Sequence, residues 1–480
     1  MTKLLPILMA GALSFAGGLI LSAWLQSGTG LAVHARIPRA GDSFDEGGAT
    51  EPSVRLGDTF HDVLTDRAPT PLPTEWPRFR GPDADNIRRR GPAMTADLAD
   101  VQARVPWRLE LGEGHAGAAV HNGRVYVLDY DEERRADVLR CFDITDGTEL
   151  WRTGYPVAMK RNHGYSRTVP AVTDQAVATI GPRCHVMVCD TATGRPLWVT
   201  DMVAEFATDE PLWYTAQCPL VDGDTLVLAP AGDSVLMTGV DLMTGEARWT
   251  VSNAQGWQMS HSSVVICTLL GVRQYVYAAA GGIVSVSAQP GSQGDVLWRT
   301  AAWNNRVVAP CPVALDDDRL FLTSGHGAGG LLLRVQRSGD DWSVEEERRF
   351  SPDQLASEQQ TPILYEDHLF TVLPKDGGAH RMELVSATRQ GEILWTSGRE
   401  HRFGLGPYVI ADTKLYVMDD GGRLSIYDLR NPAAPEFRGA ADVVPGPEAW
   451  APIAVADGRL ILRDNRRMVC LDLRTNTDEQ

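Results

Sequence analysis

A run of Asp-x-x-Thr/Asp-Gly-x-x-x-Trp occurs three times in the chain, from Asp143 to Trp151, Asp190 to Trp198 and Asp241 to Trp249. A fourth copy opens at Asp472, and Gln480 stands where its tryptophan is due. Trp298 and Trp395 extend the series, so a tryptophan returns about every 49 residues or after two such periods. A second series runs in phase with the first. Pro170, Pro219, Pro362, Pro407 and Pro452 each open an apolar stretch leading to Val177, Leu226, Leu369, Leu415 and Leu460. Polar turns such as Asp222-Gly223-Asp224 and Ala456-Asp457-Gly458 separate the two halves of these stretches.

Short apolar runs punctuated by Gly and Asp, such as Arg124-Val125-Tyr126-Val127-Leu128, are strand signals, and 46 glycines and 29 prolines supply the turns. No part of the repeat region holds a helical period. Four strands in roughly 40–50 residues describe one blade of a β-propeller. A solenoid would need distinct polar caps at its two ends. Here the ends complement each other, because Val105-Pro106-Trp107-Arg108-Leu109-Glu110-Leu111 looks like the strand missing from the last repeat. The spacing therefore predicts an all-β, eight-bladed propeller of four-stranded antiparallel blades, closed into a ring by residues 105–111. The units fall at 115–153, 163–201, 211–251, 257–301, 305–350, 357–397, 402–440 and 447–475. The fifth is degenerate: a turn at Asp341-Trp342 leads to an outer strand crowded by Glu345, Glu346, Glu347, Arg348 and Arg349, as suits a solvated edge. In the seventh, Phe437 takes the tryptophan position and is expected to fill the slot between blades. The tryptophans themselves are expected to lie between adjacent sheets rather than on a cofactor.

The totals narrow the function only broadly. A net charge of −17 argues against a surface built for phosphate backbones, so no nucleic acid is expected as a partner. Cysteines 141, 184, 189, 218, 267, 311 and 470 show no C-x-x-C or metal-ligand spacing and read as core thiols. Near the N-terminus, Lys3 precedes an uncharged run from Leu4 to Leu25, and the next charge is Arg36. A spanning helix needs ~20 residues and a secretory apolar core ~7–15, so the length favours an uncleaved anchor. Val33-His34-Ala35 is nevertheless a passable cleavage site. Residues 1–35 are read as an N-terminal hydrophobic helix, either signal peptide or membrane anchor, and 36–75 as a flexible linker rich in Gly, Pro, Asp and Thr. Either reading exports residues 76–480 to the cell envelope, on the periplasmic side, tethered to the inner membrane or released.

Asp-x-x-Thr-Gly-x-x-x-Trp at this period resembles the repeat of quinoprotein (PQQ)-type propellers. Trp76-Pro77-Arg78-Phe79-Arg80-Gly81-Pro82 is similar to the Trp-x-x-Phe-Arg-Gly-Pro segment ahead of the propeller in exported bacterial PQQ-like repeat proteins, notably of Planctomycetes. The resemblance covers residues 76–480. It implies the propeller fold but no single activity, because related propellers include quinone-dependent alcohol dehydrogenases and a lipoprotein scaffold of outer-membrane barrel assembly. The dehydrogenases carry adjacent cysteines over the quinone, a tryptophan floor and Glu/Asn/Asp calcium ligands. This sequence has no Cys-Cys pair and lacks long insertions between its repeats.

Other chemistry is equally sparse. No nucleophile elbow, P-loop or helical His pair is present. Asp316-Asp317-Asp318 precedes a strand and reads as a solvated turn, since calcium needs six to eight converging oxygens. The segments leading into the innermost strands carry the more unusual side chains: His163, Arg167, Trp213, Gln217, Gln258, His261, Arg306, Gln359, Gln360, Arg402 and Trp450. Converging at one end of a ring, they would make a cationic and aromatic mouth suited to an anionic planar ligand such as PQQ. The wet rim of any propeller accounts for the same residues. His115 and His121 belong to the first blade, and His121 beside Asn122-Gly123 reads as a turn residue. Two functions are expected to compete. One is a non-catalytic exported scaffold or ligand-binding module, without cofactor, working with other envelope proteins. The other is a PQQ-dependent oxidoreductase.

Overall fold

Along residues 54–475, which the computed structural model describes, eight antiparallel sheets follow one another, and in each the consecutive strands pair. The N-terminal apolar run and the first part of the expected linker lie outside the described residues. The first blade consists of Ala118–His121, Arg124–Asp131, Ala136–Asp143 and Glu149–Pro156, from the innermost strand outwards. The architecture is the all-β, eight-bladed propeller of four-stranded antiparallel blades that the repeat predicts. The last blade takes Ala454–Ala456, Arg459–Arg463 and Arg467–Asp472 from the end of the chain. Its outer strand is Trp107–Glu110, antiparallel to Arg467–Asp472 with Trp107 opposite Cys470. Among the described residues, no helix is long and apolar enough to cross a membrane.

Each part of the recurring motif has a mechanical task. The aspartate caps the turn that follows it: Asp143 Oδ1 accepts from the Thr145 N–H at 2.8 Å, and Asp190 Oδ1 from Thr193 at 2.7 Å. Its carbonyl then accepts from the glycine N–H, at 2.9 Å for Gly147 and 2.8 Å for Gly194 and Gly245. These glycines sit at φ of 74°, 78° and 76°, a left-handed conformation that side chains resist. The tryptophan of the preceding blade packs directly on them. A Cβ at Gly147 would stand 3.0 Å from Trp107, at Gly194 2.3 Å from Trp151, and at Gly245 2.9 Å from Trp198. Trp107 and Trp198 also donate Nε1–H to the carbonyls of Ile144 and Leu242, at 2.7 and 2.9 Å. The series thus joins blade to blade.

The irregular repeats solve the same problem differently. In the fifth blade, Gly329–Ser338 and Asp341–Phe350 form a long hairpin whose charged outer strand is exposed. Phe350 is buried there and presses on Gly391 of the next blade, where a Cβ would stand 2.3 Å from its ring. Phe437 does not fill the slot expected of it. It is 42% exposed and lies against Tyr427 of its own blade and His401, with ring centroids 5.5 and 4.6 Å away. The eighth blade presents Leu473, Arg474 and Thr475 after Asp472, without the glycine that receives a ring elsewhere. Asp316 caps a turn by accepting from the Arg319 backbone and guanidinium, so the acidic triplet is a hairpin turn. All seven cysteines are unpaired, and six are buried.

The segment ahead of the repeats is more structured than a tether. Phe60–Val63, within the stretch read as linker, is a strand that pairs with Glu149–Pro156 on the outside of the first blade. Further on, the chain forms a strap across the central channel. Trp76 exchanges two 2.8 Å backbone hydrogen bonds with Val120 of the first blade, and the Pro77 carbonyl accepts from Val172 of the second at 2.8 Å. Arg78 donates to the Val221 carbonyl of the third at 3.2 Å, and Arg80 to the Pro362 carbonyl of the sixth at 3.3 Å. Ile87–Arg88 pairs in parallel with Tyr408–Ala411 of the seventh, and Thr95 donates to the Leu473 carbonyl of the eighth. Contacts with the innermost strands of opposite blades require the strap to traverse the axis. Gly81 makes its bend possible: φ is +83°, and a Cβ would stand 2.8 Å from the buried Trp76 ring.

Candidate functional site

In a meander of four strands, the loops into the innermost strand and the hairpins between second and third strands emerge at one end. The strap's contacts at Val120, Val172 and Val221 adjoin the opposite end, where innermost strands turn into second strands. The candidate site is the unstrapped mouth.

The residues singled out from the sequence separate into two clusters and several outliers. In one cluster, Arg167 donates to the carbonyls of Asn162, His163 and Tyr165 at 2.7, 3.0 and 2.8 Å. His115 Nε2 lies 3.0 Å from the same His163 carbonyl, and its ring is 5.0 Å from that of Trp450. Trp450 in turn donates Nε1–H to Asp420 at 2.7 Å. Gln360 ties in the sixth blade by donating to the carbonyls of Leu405 and Trp450, both at 3.2 Å. In the second cluster, Trp213 stacks on His261 at 6.2 Å and on His326 at 5.8 Å. Arg167 bridges the two clusters through Tyr214, whose ring centre is 6.0 Å from its guanidinium carbon.

The remaining residues do not join these clusters. Gln217 is buried and clamps the Ala229 backbone, donating to its carbonyl and accepting from its N–H, both at 3.1 Å. Gln258 is exposed and donates to Asp209 at 2.8 Å. Arg402 approaches the buried Glu383 at 4.0 Å, and Arg306 is exposed. His121 is no free turn residue. It ends the innermost strand of the first blade, buried between Glu75 of the strap at 2.7 Å and Asp174 of the second blade at 3.0 Å. Sequence reasoning gave His115 no place in the mouth and passed over His326, Tyr214 and Asp420. The available signal was geometric: His326 and Asp420 sit in hairpins between second and third strands, which share their end with the lead-in loops.

Burial governs the electrostatics of the mouth. Desolvation, with the Arg167 charge adding to it, pushes His115 down to about 3 and His261 down to about 4. Both imidazoles are therefore neutral at physiological pH. Burial also lowers the Arg167 guanidinium to about 10, which still leaves it charged. The cluster sets the Arg167 cation among neutral aromatic rings, with the carboxylates of Asp420 and Glu448 beside Trp450 and His115. Among the described residues, no three His, Cys, Asp or Glu side chains converge as a metal site.

The fold and this mouth define a propeller of the quinoprotein type without a metal-binding cluster in its described residues. Residues 134–386, over half of the chain, match the family model described as outer membrane protein assembly factor BamB, and the chain belongs to that family. BamB from Moraxella catarrhalis is similar in structure at 15% identity and a TM-score of 0.50, covering 77% of this chain and 98% of its own. Quinohemoprotein alcohol dehydrogenase from Comamonas testosteroni is similar at 11% identity and a TM-score of 0.54, with 85% and 82% covered. The quinohemoprotein alcohol dehydrogenase ADHIIG from Pseudomonas putida HK5 is similar at 12% identity and a TM-score of 0.54, with 85% and 81% covered. At these identities the likeness speaks for the fold alone. No curated protein sequence gives a significant match.

Proposed function

We propose that this chain is a non-catalytic propeller of the cell envelope that presents its mouth to a protein partner on the periplasmic side. One observation carries the reading: the polar side chains a quinone would need are committed to the protein's own backbone. Arg167 serves three carbonyls, Gln217 clamps Ala229, and Gln360 links two lead-in loops. The set does not fit PQQ with calcium. What stays accessible includes a ring stack centred on Trp213 with His326. A ring stack of this kind suits an aromatic or aliphatic side chain of a partner. The family description, outer membrane protein assembly, supports other envelope proteins as the partner class. Attachment to the membrane through the N-terminal apolar run and closure of the ring by residues 107–110 belong to the same reading.

Two measurements test it. PQQ and calcium added to the purified chain should give neither a stoichiometric absorbance band nor dye-linked alcohol oxidation; both together would establish the oxidoreductase instead. Crosslinking in envelope membranes should yield adducts that Trp213→Ala with His326→Ala removes, while the double variant keeps its melting temperature. Adducts unchanged in that variant would place the interaction elsewhere.

A further inference from the structure

The strap carries two arginines inward, Arg78 and Arg80, in a chain whose net charge is −17. Arg80 is 6% exposed, and its Nε–H is buried without an acceptor. Its one hydrogen bond, to the Pro362 carbonyl, is long at 3.3 Å. Arg78 donates to the carbonyls of Val221 and Pro82. Among the described residues, no carboxylate comes within ion-pair distance of either guanidinium, although many surface arginines are paired; Asp222 and Asp83 act on Arg78, and Asp85 on Arg80, only from further away. Burial holds both below the ordinary arginine range. Arginine does not give up its proton, so a buried guanidinium requires an anionic counterpart or carries an uncompensated desolvation penalty.

The two arginines line one cavity of about 20 Å³, with Phe79 of the strap, Cys218 and Ser263 of the third and fourth blades, and Cys311 of the fifth. No Asp or Glu lines it. A space of this size is enough for one water-sized particle. Water would accept a hydrogen bond but leave the charge uncompensated. A monatomic anion does both.

We propose that this cavity is a binding site for a single halide ion, chloride in a saline compartment, which ties the strap to the inner strands of the ring. The occupant is set by three observations together: two guanidiniums without an ion pair, no acidic lining, and room enough for one small ion. Chloride then acts as a structural ligand, and the channel is held shut at this end more firmly when chloride is present.

The test uses the full chain in gluconate buffer, titrated with chloride or bromide at constant ionic strength and followed by calorimetry. Chloride and bromide should each raise the melting temperature by a few degrees with saturation. Arg80→Met should lose that saturable rise, and Arg349→Gln, on the exposed outer strand of the fifth blade, should keep it. Crystals soaked in bromide should show an anomalous peak between Arg78 and Arg80. Should Arg80→Met fail to fold, the bromide peak in the unaltered chain decides. Superimposable gluconate and chloride titrations, or bromide bound only elsewhere, would overturn the site and assign the cavity to water.

Discussion

The two ends of this channel are made by the same eight repeats, yet they differ in kind. At the strapped end, every blade turns tightly, and residues 74–95 bind six blades mainly through backbone groups. At the mouth, the loops differ in length and sequence, and contacts run through side chains: Arg167 on carbonyls, Trp450 on Asp420, Trp213 between two histidines. The contrast teaches that a repeat protein can place its stability at one end and leave the other free to vary.

Truncation should expose this contrast most strongly. A chain beginning at residue 115 lacks the strap and the outer strand of the last blade, and it should lose the cooperative melt that a chain beginning at residue 54 retains. Equal melting curves would refute ring closure by residues 107–110. Next in size, Trp107→Ala empties the slot over Gly147 and should destabilise by about 3–5 kcal/mol in urea titration. Trp450→Ala at the half-buried mouth should be limited to about 1 kcal/mol for its hydrogen bond to Asp420. Comparable losses would erase the distinction between the ends. A glycine pair separates packing from backbone strain. Gly81→Ala meets Trp76 as well as a left-handed φ, whereas Gly327, at φ +83°, has nothing within 4 Å. The first should lose about 1–3 kcal/mol and the second about 1 kcal/mol.

The smallest effect lies in pH. At the strapped end, burial opposes protonation of His121, but Glu75 and Asp174 outweigh it and raise its pKa. Its contribution is complete below the ordinary value of 6.5 and is lost as pH rises through the raised folded value. His115 and His261 work in reverse. The unfolded chain takes up their protons below 6.5 while the native mouth resists until about 3 and 4, so stability falls as pH drops through that window. Melting temperatures across this range should lose their alkaline decline in His121→Gln and part of their acid decline in His261→Gln.

The propeller was legible because its fold-bearing residues repeat. Asp143, Gly147 and Trp151 have counterparts at fixed spacing, each performing one mechanical task per copy. What occurs once has no period to reveal it. The run from Trp76 to Pro82 was recognisable as a family resemblance, but nothing in its letters says that Arg80 reaches the sixth blade. The mouth failed for a related reason. Its residues were chosen by loop position, while membership depends on direction, and that separates Gln217, turned into the blade, from Trp213 four residues earlier. Phe437 shows the limit of the repeat itself: a ring of suitable size at the tryptophan position stays on the surface, against Tyr427 and His401.

The short strand Phe60–Val63 gives the ring an orientation that its repeats lack. Eight near-equivalent blades would present eight near-equivalent outer edges, and a partner adding a strand would find no preferred place. With Glu149–Pro156 already paired on that side, the first blade is closed to such a partner. Among the described residues, the outer strands of the other seven blades have no further strand beside them. A pseudo-symmetric wheel thereby acquires a single marked spoke, from which every other direction around the rim can be told.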